Sequence, residues 1–259
     1  MANSRWHRIL LYHIIGRLPE DPIKQCTSPE RFREQMRYLK WRGLRGVSAG
    51  ELHQAALAGD AKGLVGITFD DGYKDFLRVA VPALEDLGFS ATVFAVGGKL
   101  GRENDWEHDY TPRPRLELLE AEELREISRR GMEVGAHGTS HVKLANLGPE
   151  QLEEEVKGSR RLLSEVLGEE VEGFSYPYGN FDAAALEAVR RAGYTYACAA
   201  PSQVDWYQYA LPRIPVADND HRLRFAAKIS MYQQYSAAKK PIRIALSKLS
   251  SVRRVFAGT

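Results

Sequence analysis

Short runs of apolar, β-branched residues alternate along the chain with longer segments whose apolar residues recur every three or four positions. The short runs predict strands over residues 8–15, 63–69, 91–96, 132–136, 171–176, 194–199 and 211–216. The longer segments predict helices over residues 28–41, 75–87, 120–130, 149–167 and 182–192. Repeated alternation of strand and helix is typical of a parallel α/β fold, and seven strands favour a (β/α) barrel over an open doubly wound sheet.

The composition is ordinary for a folded soluble protein. The chain has 259 residues, of which 44% are hydrophobic and 27% are charged, and these values exclude disorder, collagen and coiled coil as descriptions of the whole chain. The two cysteines, Cys26 and Cys198, are too few for a disulfide framework or a cysteine-rich zinc site. No stretch approaches the roughly 20 apolar residues that span a bilayer, and the first apolar run lacks a small-residue cleavage site. We therefore expect a cytoplasmic protein.

The charge is unevenly distributed along the chain. The formal net charge is +2, yet residues 221–259 contain nine Lys and Arg residues and no Asp or Glu. We therefore divide the chain into a barrel domain at 1–220 and a basic helical tail at 221–259. Apolar residues of the tail share one helical face, namely Ile242, Leu246, Leu249, Val252 and Phe256. This pattern predicts either peripheral contact with an anionic membrane surface or a helix that packs on the barrel. Nucleic-acid binding is disfavoured because the rest of the chain is acidic.

The second predicted strand runs directly into two adjacent carboxylates, Asp70 and Asp71, followed by Gly72. The carboxyl ends of parallel strands are where sites assemble in α/β folds. Because neighbouring carboxylates repel each other, a cation that holds one of them ionised leaves the other as a candidate base. The alternative interpretation is an ordinary Asp-Asp-Gly turn in which one carboxylate caps the next helix.

Two histidines follow the fourth predicted strand, His137 and His141. At positions i and i+4 they can face the same side of a helical turn and share one metal ion, although they could equally be two surface histidines. Together with Asp71 they would form a two-histidine, one-carboxylate set with positions left open for water. That set suits zinc as a catalytic ion, and other first-row divalent ions as well.

Three motifs in this order resemble those of the NodB-homology polysaccharide deacetylases, carbohydrate esterase family four. The first is Thr-Phe-Asp-Asp-Gly at residues 68–72, and the second is the His-x-x-x-His of His137 and His141. The third is Tyr-Pro-Tyr-Gly at residues 176–179, in the form found in bacterial exopolysaccharide enzymes. The resemblance extends over about residues 8 to 217. It implies a distorted (β/α) barrel, similar to a TIM barrel.

The resemblance also implies an activity, the metal-dependent deacetylation of an N-acetyl-hexosamine unit during exopolysaccharide or glycolipid synthesis. It implies that Asp71, His137 and His141 hold the metal and that Asp70 is the general base for the attacking water. It further implies that the backbone N–H of Tyr178 stabilises the oxyanion. Amide hydrolysis near neutral pH does need a Lewis acid, an activated water and an acid for the leaving nitrogen.

The sequence departs from the family pattern at two positions. Ser175 stands where the third motif carries arginine, and the late Leu-x-His that supplies a general acid reads Leu-Pro-Arg, ending in Arg213. We expect Arg213 to replace the missing arginine and to orient Asp70 by a charge-assisted hydrogen bond. We expect His13 to be the general acid, because its Leu-Tyr-His run resembles the early histidine of poly-N-acetylglucosamine deacetylases. The alternative for Arg213 is an ordinary surface arginine, and the alternative for His13 is a histidine of the core.

Two other functions are compatible with these residues. A deformylase or another amide hydrolase on the same fold would differ in the pocket around the acyl group. A non-catalytic glycan-binding homologue would account for Ser175 and Arg213, but a binding protein has no chemical need for the Asp-Asp-His-His set. Trp106, in a long polar loop, offers an aromatic face that suits a sugar ring or ordinary loop packing.

Overall fold

The computed structural model describes residues 8–106, 114–199 and 208–238, with side chains described up to residue 230. Its strands are β1 (Ile9–Tyr12), β2 (Ile14–Ile15), β3 (Cys26–Thr27), β4 (Arg45–Val47), β5 (Leu64–Phe69), β6 (Thr92–Ala95), β7 (Glu133–Ala136), β8 (Gly173–Ser175), β9 (Tyr196–Ala199), β10 (Leu211–Pro212) and β11 (Ile214–Pro215). Its α-helices are α1 (Pro29–Trp41), α2 (Ala49–Ala58), α3 (Val81–Glu85), α4 (Ala121–Arg129), α5 (Pro149–Glu153), α6 (Ser159–Leu167), α7 (Ala183–Arg191) and α8 (Arg222–Ala238). π-Helical turns at Phe76–Ala80 and Glu154–Gly158 precede α3 and connect α5 to α6.

The parallel strands form a nearly closed barrel. Their order is β10-β9-β8-β7-β6-β5-β1-β11, and β4 pairs with the first half of β5. The predicted strand at 211–216 is split at Arg213, so that β10 pairs with β9 while β11 pairs with β1. This short segment, which we call the seam, therefore joins the two edges of the sheet. The prediction of a distorted (β/α) barrel with about seven strand positions is confirmed.

Apolar side chains fill the inside of the barrel and the space between the strands and the outer helices. Ile9, Phe94, Tyr196 and Leu211 belong to one buried cluster although they lie on four different strands, so their side chains meet in the interior of the barrel. A larger cluster joins the outer faces of the strands to the helices that surround them. No helix within the described residues combines the length and the apolar character needed to cross a bilayer.

The amino end of the barrel is closed by α2, which the sequence patterns did not predict. Ser48 caps this helix by accepting a hydrogen bond from the N–H of Glu51 at 3.1 Å. The next two N–H groups of the helix point into the barrel, where Ala49 N donates to Thr92 Oγ1 at 2.8 Å and Gly50 N donates to a carboxylate oxygen of Glu133 at 2.9 Å. The first turn of α2 therefore closes this end of the barrel, and its backbone N–H groups bind side chains of the strands.

The start of the predicted basic tail lies on the barrel. Phe225 and Ile229 of α8 are buried in the larger apolar cluster, and Asp220 pairs with Lys228. Residues 239–259, which include the predicted amphipathic face, lie outside the described residues. The boundary between 220 and 221 stays a prediction.

Candidate functional site

The motif residues come together at the carboxyl end of the barrel. Asp70 and Asp71 follow β5, His137 follows β7, and Tyr178 lies in a short 3₁₀ turn after β8. His13 lies directly after β1. Because all of these strands run parallel, side chains that follow them share one end of the barrel. The predicted site therefore occupies the place where (β/α) barrels assemble their chemistry.

Asp71, His137 and His141 form a compact and fully buried cluster. Asp71 Oδ1 lies 3.2 Å from His141 Nε2 and 3.4 Å from His137 Nε2, and one donor atom from each residue falls within 4.8 Å of the other two. His137 Nδ1 lies 2.8 Å from the carbonyl oxygen of Ser175. A carbonyl only accepts, so Nδ1 carries the proton in this contact and Nε2 faces Asp71 as a donor atom for a metal. The three residues thus fit a divalent cation.

The backbone of the cluster is strained. Asp71 has a φ of 76° and His141 a φ of 62°, in the left-handed region that non-glycine residues rarely occupy. Each such residue costs on the order of 1 kcal/mol and persists only where the surrounding structure imposes it. Two of the three candidate metal ligands are therefore held in conformations that the chain would not adopt for stability alone.

Backbone contacts with a glycine pair hold the loop between the two histidines from one side. Gly97 N donates to Gly138 O and Gly98 N donates to Thr139 O, both at 2.9 Å. A Cβ atom on Gly98 would lie 2.6 Å from that Thr139 oxygen, closer than non-bonded atoms approach. The Gly-Gly turn after β6 is thus needed so that two backbones can meet next to the candidate ligands.

Glu155 holds the same loop from the other side, and the sequence analysis did not identify it. Its carboxylate, 4% exposed, accepts hydrogen bonds from Thr139 N at 2.9 Å and Ser140 N at 3.0 Å, and a third from the Ser140 hydroxyl. Glu155 lies in the π-helical turn between α5 and α6. This carboxylate therefore orders the loop that carries both histidines, as groups behind metal ligands commonly do.

Asp70 is held by Arg213 from the seam. Arg213 Nη1 donates to Asp70 Oδ1 at 2.6 Å and Nη2 donates to Oδ2 at 2.7 Å, a bidentate ion pair. Nη2 also donates to Ser175 Oγ at 2.9 Å. Ser175, at the position where the family motif carries arginine, therefore leaves room for a guanidinium that arrives from another strand. Asp70 Oδ2 lies 3.9 Å from His137 Nε2, so the paired carboxylate borders the candidate metal cluster.

The surrounding charges keep both carboxylates ionised. Burial raises the pKa of Asp71, but hydrogen bonds with His137 and His141 outweigh it, and the pKa lies well below its usual value. Burial likewise raises the pKa of Asp70, but the charges of Arg213 and His137 together with the hydrogen bonds from Arg213 outweigh it, so that pKa is also lowered. Burial lowers the pKa of His137, but the charges of Asp70 and Asp71 together with hydrogen bonds to Asp71 and the Ser175 carbonyl raise it by more. A base and an anionic ligand are thus both available at neutral pH.

The other predicted residues surround the cluster. His13 Nε2 lies 3.1 Å from the side-chain nitrogen of Gln25, and its charge acts on the pKa values of both aspartates. The Tyr178 ring lies 4.6 Å from the His141 ring, and its backbone has a φ of 58°. Trp106 stacks on the His141 ring, with the ring centroids 4.3 Å apart. The proposed roles of His13 and the Tyr178 N–H stay predictions.

Comparisons with known proteins agree with this geometry. A family model described as "Polysaccharide deacetylase" matches residues 58–197, more than half of the chain. The Bacillus subtilis protein YxkH is 29% identical over 230 residues, which cover 85% of this chain and 75% of that protein. A poly-β-1,6-N-acetyl-D-glucosamine N-deacetylase of Staphylococcus aureus is 24% identical over 209 residues, covering 74% of this chain and 68% of that enzyme.

Solved structures share the fold. The deacetylase PplD of Streptococcus pyogenes, in complex with acetate, superposes with a TM-score of 0.73 at 23% identity, over 86% of this chain and 97% of that chain. IcaB from Ammonifex degensii superposes with a TM-score of 0.70 at 24% identity, over 89% of this chain and 98% of that chain. The family match, the barrel and the three motifs at its carboxyl end agree. The chain therefore belongs to the polysaccharide deacetylase family and is a hydrolase that acts on non-peptide carbon–nitrogen bonds.

Proposed function

We propose that the protein is a metal-dependent N-deacetylase that hydrolyses the acetamide of an N-acetyl-hexosamine unit in a polysaccharide or a lipid-linked glycan intermediate. The observation that carries this proposal is the bidentate pair of Asp70 and Arg213 beside the buried cluster of Asp71, His137 and His141. An oriented carboxylate next to a three-residue ligand set is the combination that metal-assisted amide hydrolysis requires. The deacetylases among the relatives support the choice of acyl group and sugar.

The metal proposed for the cluster is zinc, with other first-row divalent ions as further candidates. Two imidazoles and one carboxylate match catalytic zinc sites, in which three protein ligands leave a position open. When bound there, the ion supplies a Lewis acid that polarises the acetamide carbonyl and favours ionisation of water. The hydrogen bond from His137 Nδ1 to the Ser175 carbonyl supports this assignment, because it orients the ring and fixes its tautomer.

Asp70 is the proposed general base. Its carboxylate is ionised, and Oδ2 borders the ligand cluster, so this oxygen is the atom proposed to accept the proton of the attacking water. Arg213 holds both carboxylate oxygens and so limits rotation of the Asp70 side chain. We therefore assign Arg213 a positioning role in place of the arginine that the third motif lacks.

His13 is the proposed acid for the leaving nitrogen, and the backbone N–H of Tyr178 is the proposed donor to the oxyanion. His13 lies at the carboxyl end of β1, beside β5 in the sheet, and its charge reaches Asp70 and Asp71. The side-chain nitrogen of Gln25 lies 3.1 Å from His13 Nε2, a contact that orients the imidazole ring. Tyr178 adopts a positive φ, an uncommon backbone conformation for a residue other than glycine, and its ring lies beside that of His141.

The test is to measure zinc content and acetate release on short N-acetylglucosamine oligomers. We expect the wild type to bind zinc and release acetate, and Asp70→Asn to keep zinc while losing at least about a thousandfold in rate. Asp60→Asn, at an exposed position after α2, is the matched control and retains the wild-type rate. Acetate release by Asp70→Asn at the wild-type rate would contradict the role of Asp70. Release of formate from an N-formylated sugar, with no acetate from the acetylated one, would indicate the deformylase alternative.

A further inference from the structure

Apolar and basic side chains are exposed together where the end of α1 meets the first turn of α8. The Trp41 side chain is 68% exposed and Leu223 is 77% exposed. Arg222 joins the two helices, since its Cζ lies 4.8 Å from the centroid of the Trp41 ring. Single exposed apolar residues are common on protein surfaces. Here, however, Trp41 lies against the guanidinium group of Arg222, and Leu223 is the next residue along the chain.

A second guanidinium group, that of Arg42, lies beside Tyr38, whose ring centroid is 5.8 Å from that of Trp41. Arg42 Nη1 donates to Tyr38 Oη at 2.9 Å, and its Cζ lies 5.9 Å from the Tyr38 ring centroid. Arg222 Cζ lies at the same distance from that ring. We refer to Tyr38, Trp41, Arg42, Arg222 and Leu223 as the aromatic–arginine surface.

The positive charges of this surface are not neutralised within the described part of the chain. No ion pair there joins Arg42 or Arg222 to a carboxylate, whereas the nearby Arg45 pairs with Glu51 at 2.6 Å. Arg8 lies close by, and its pKa is lowered by burial and by the positive charge of Arg42. Clustered like charges destabilise a folded chain unless an anion from elsewhere offsets them. The surface is therefore suited to an anionic partner.

The sequence continues this pattern. Arg222 and Leu223 begin the stretch 221–259, which contains nine basic and no acidic residues. Basic side chains next to exposed Trp and Leu are typical of surfaces that lie at the headgroup level of a membrane, where aromatic rings prefer the interface and guanidinium groups bind lipid phosphates. A purely electrostatic partner would leave the exposure of Trp41 and Leu223 unexplained.

We propose that the aromatic–arginine surface docks on an anionic phospholipid surface, with Trp41 and Leu223 at the headgroup level and Arg42 and Arg222 on lipid phosphates. This inference does not depend on the proposed deacetylase activity. Because α1 leads from the carboxyl end of β1 to the amino end of β4, Trp41 lies at the end of the barrel opposite the candidate site. The docked protein therefore keeps the mouth of its barrel accessible to glycans.

The experiment measures co-sedimentation of the full-length protein with phosphatidylcholine vesicles that contain or lack phosphatidylglycerol. We expect binding only to the anionic vesicles, weakened by salt. Each basic side chain near an anionic bilayer contributes to the binding free energy. The double variant Arg42→Gln, Arg222→Gln should therefore bind the anionic vesicles about thirtyfold more weakly. Trp41→Ser with Leu223→Ser should also weaken it, and thermal melting checks that both variants fold.

The control removes two charges elsewhere. Arg161 and Arg191 are exposed on α6 and α7, and Arg161→Gln with Arg191→Gln should bind vesicles as the wild type does. Wild-type binding by the two surface variants would overturn the proposal, because residues outside this surface would then account for it. Equal binding to neutral vesicles, no binding to anionic vesicles, or preferential binding to duplex DNA would each overturn it as well.

Discussion

Both ends of the barrel hold carboxylates, but the groups around these carboxylates differ. At the amino end, the half-buried Glu133 accepts hydrogen bonds within the described residues from neutral donors: Gly50 N at 2.9 Å, Thr92 Oγ1 at 2.6 Å and Tyr196 Oη at 2.7 Å. At the carboxyl end, two adjacent aspartates share their surroundings with two histidines and an arginine. The carboxylate at the amino end is thus held by neutral hydrogen-bond donors, whereas the carboxylates at the carboxyl end lie among other ionisable side chains.

Backbone strain follows the same division. The described residues with a positive φ that are not glycine are Lys24, Asp71, His141, Asn146 and Tyr178. Three of these belong to the candidate site, and none lies in β4 or α2 at the amino end. Strain and clustered charge persist where they serve chemistry, since neither favours the folded state by itself. The amino end therefore stabilises the barrel, and the carboxyl end carries the strained and charged groups of the candidate site.

The largest predicted effect on stability tests the amino end. Glu133→Ala leaves the N–H of Gly50 and the hydroxyls of Thr92 and Tyr196 without their acceptor, and we expect it to lower the free energy of unfolding by about 3 kcal/mol. Urea denaturation measures this loss. Zinc content per folded molecule should stay unchanged.

The control is Glu51→Ala in α2, which removes the exposed ion pair with Arg45 and a long hydrogen bond from Ser90 Oγ and should cost below about 1 kcal/mol. If Glu133→Ala kept its stability but lost zinc, the division between the two ends would be wrong.

A second prediction concerns the carboxyl end, where removal of a carboxylate should raise the free energy of unfolding instead of lowering it. Asp75 lies there, just after the Asp-Asp-Gly turn, and accepts a hydrogen bond from Ile15 N. Burial raises the pKa of Asp75 to about 6. The unfolded chain releases this proton near pH 4, so the folded state loses stability as the pH rises from about 4 to about 6. We expect Asp75→Asn to match the wild type at pH 4 and to be more stable by about 2 kcal/mol at pH 7.

Denaturation curves across this pH range give the measurement. Asp182→Asn is the matched variant, because Asp182 caps α7 through the N–H of Ala185 and its pKa is lowered. The Asp182 carboxylate stabilises the folded state at pH 7, and this stabilisation disappears as the pH falls, so Asp182→Asn should be less stable than the wild type at pH 7. If the stability of the two variants depended on pH in the same way, the raised pKa of Asp75 would be contradicted.

The smallest predicted effect concerns the loop between the histidines. Glu155→Gln keeps the shape of the side chain but can no longer accept all the hydrogen bonds from Thr139 and Ser140. We expect zinc affinity to fall about tenfold, measured by competition with a chelator, with little change in melting temperature. Glu154→Gln, at the exposed neighbouring position, should bind zinc as the wild type does. Equal zinc affinity of the Glu155 variant and the control would show that the loop does not depend on this carboxylate.

Sequence patterns predicted the barrel and the residues that meet in the candidate site, because both depend on residues that are close together along the chain. Strand, turn and motif lie next to one another along the chain, and parallel pairing brings strand ends to one edge. Glu155 was missed because it stands in a run of three glutamates, of which it alone is buried. A signal existed, since Glu155 follows Leu152 by three positions and precedes Ser159 by four, on the apolar face of its helix.

Three features could not be predicted from local patterns. β4 has only three residues, one of them Gly46, and its place beside β5 depends on a contact with a distant segment. α2 is rich in alanine and lacks a strong apolar face, because its role is to present N–H groups rather than a hydrophobic stripe. The seam was predicted as one strand, since only tertiary pairing with two different neighbours divides it at Arg213.

The seam has a consequence for the order in which a newly made chain becomes active. The candidate metal ligands lie between Asp71 and His141 and leave the ribosome early, but Arg213 and the strands on either side of it leave late. Until residues 211–215 emerge, the first strand lacks one of its two neighbours and Asp70 lacks its arginine. A nascent or prematurely terminated chain can thus carry every candidate metal ligand and still lack the arginine that orients Asp70, the proposed base. Closure of the barrel and orientation of Asp70 therefore both depend on the same late segment, residues 211–215.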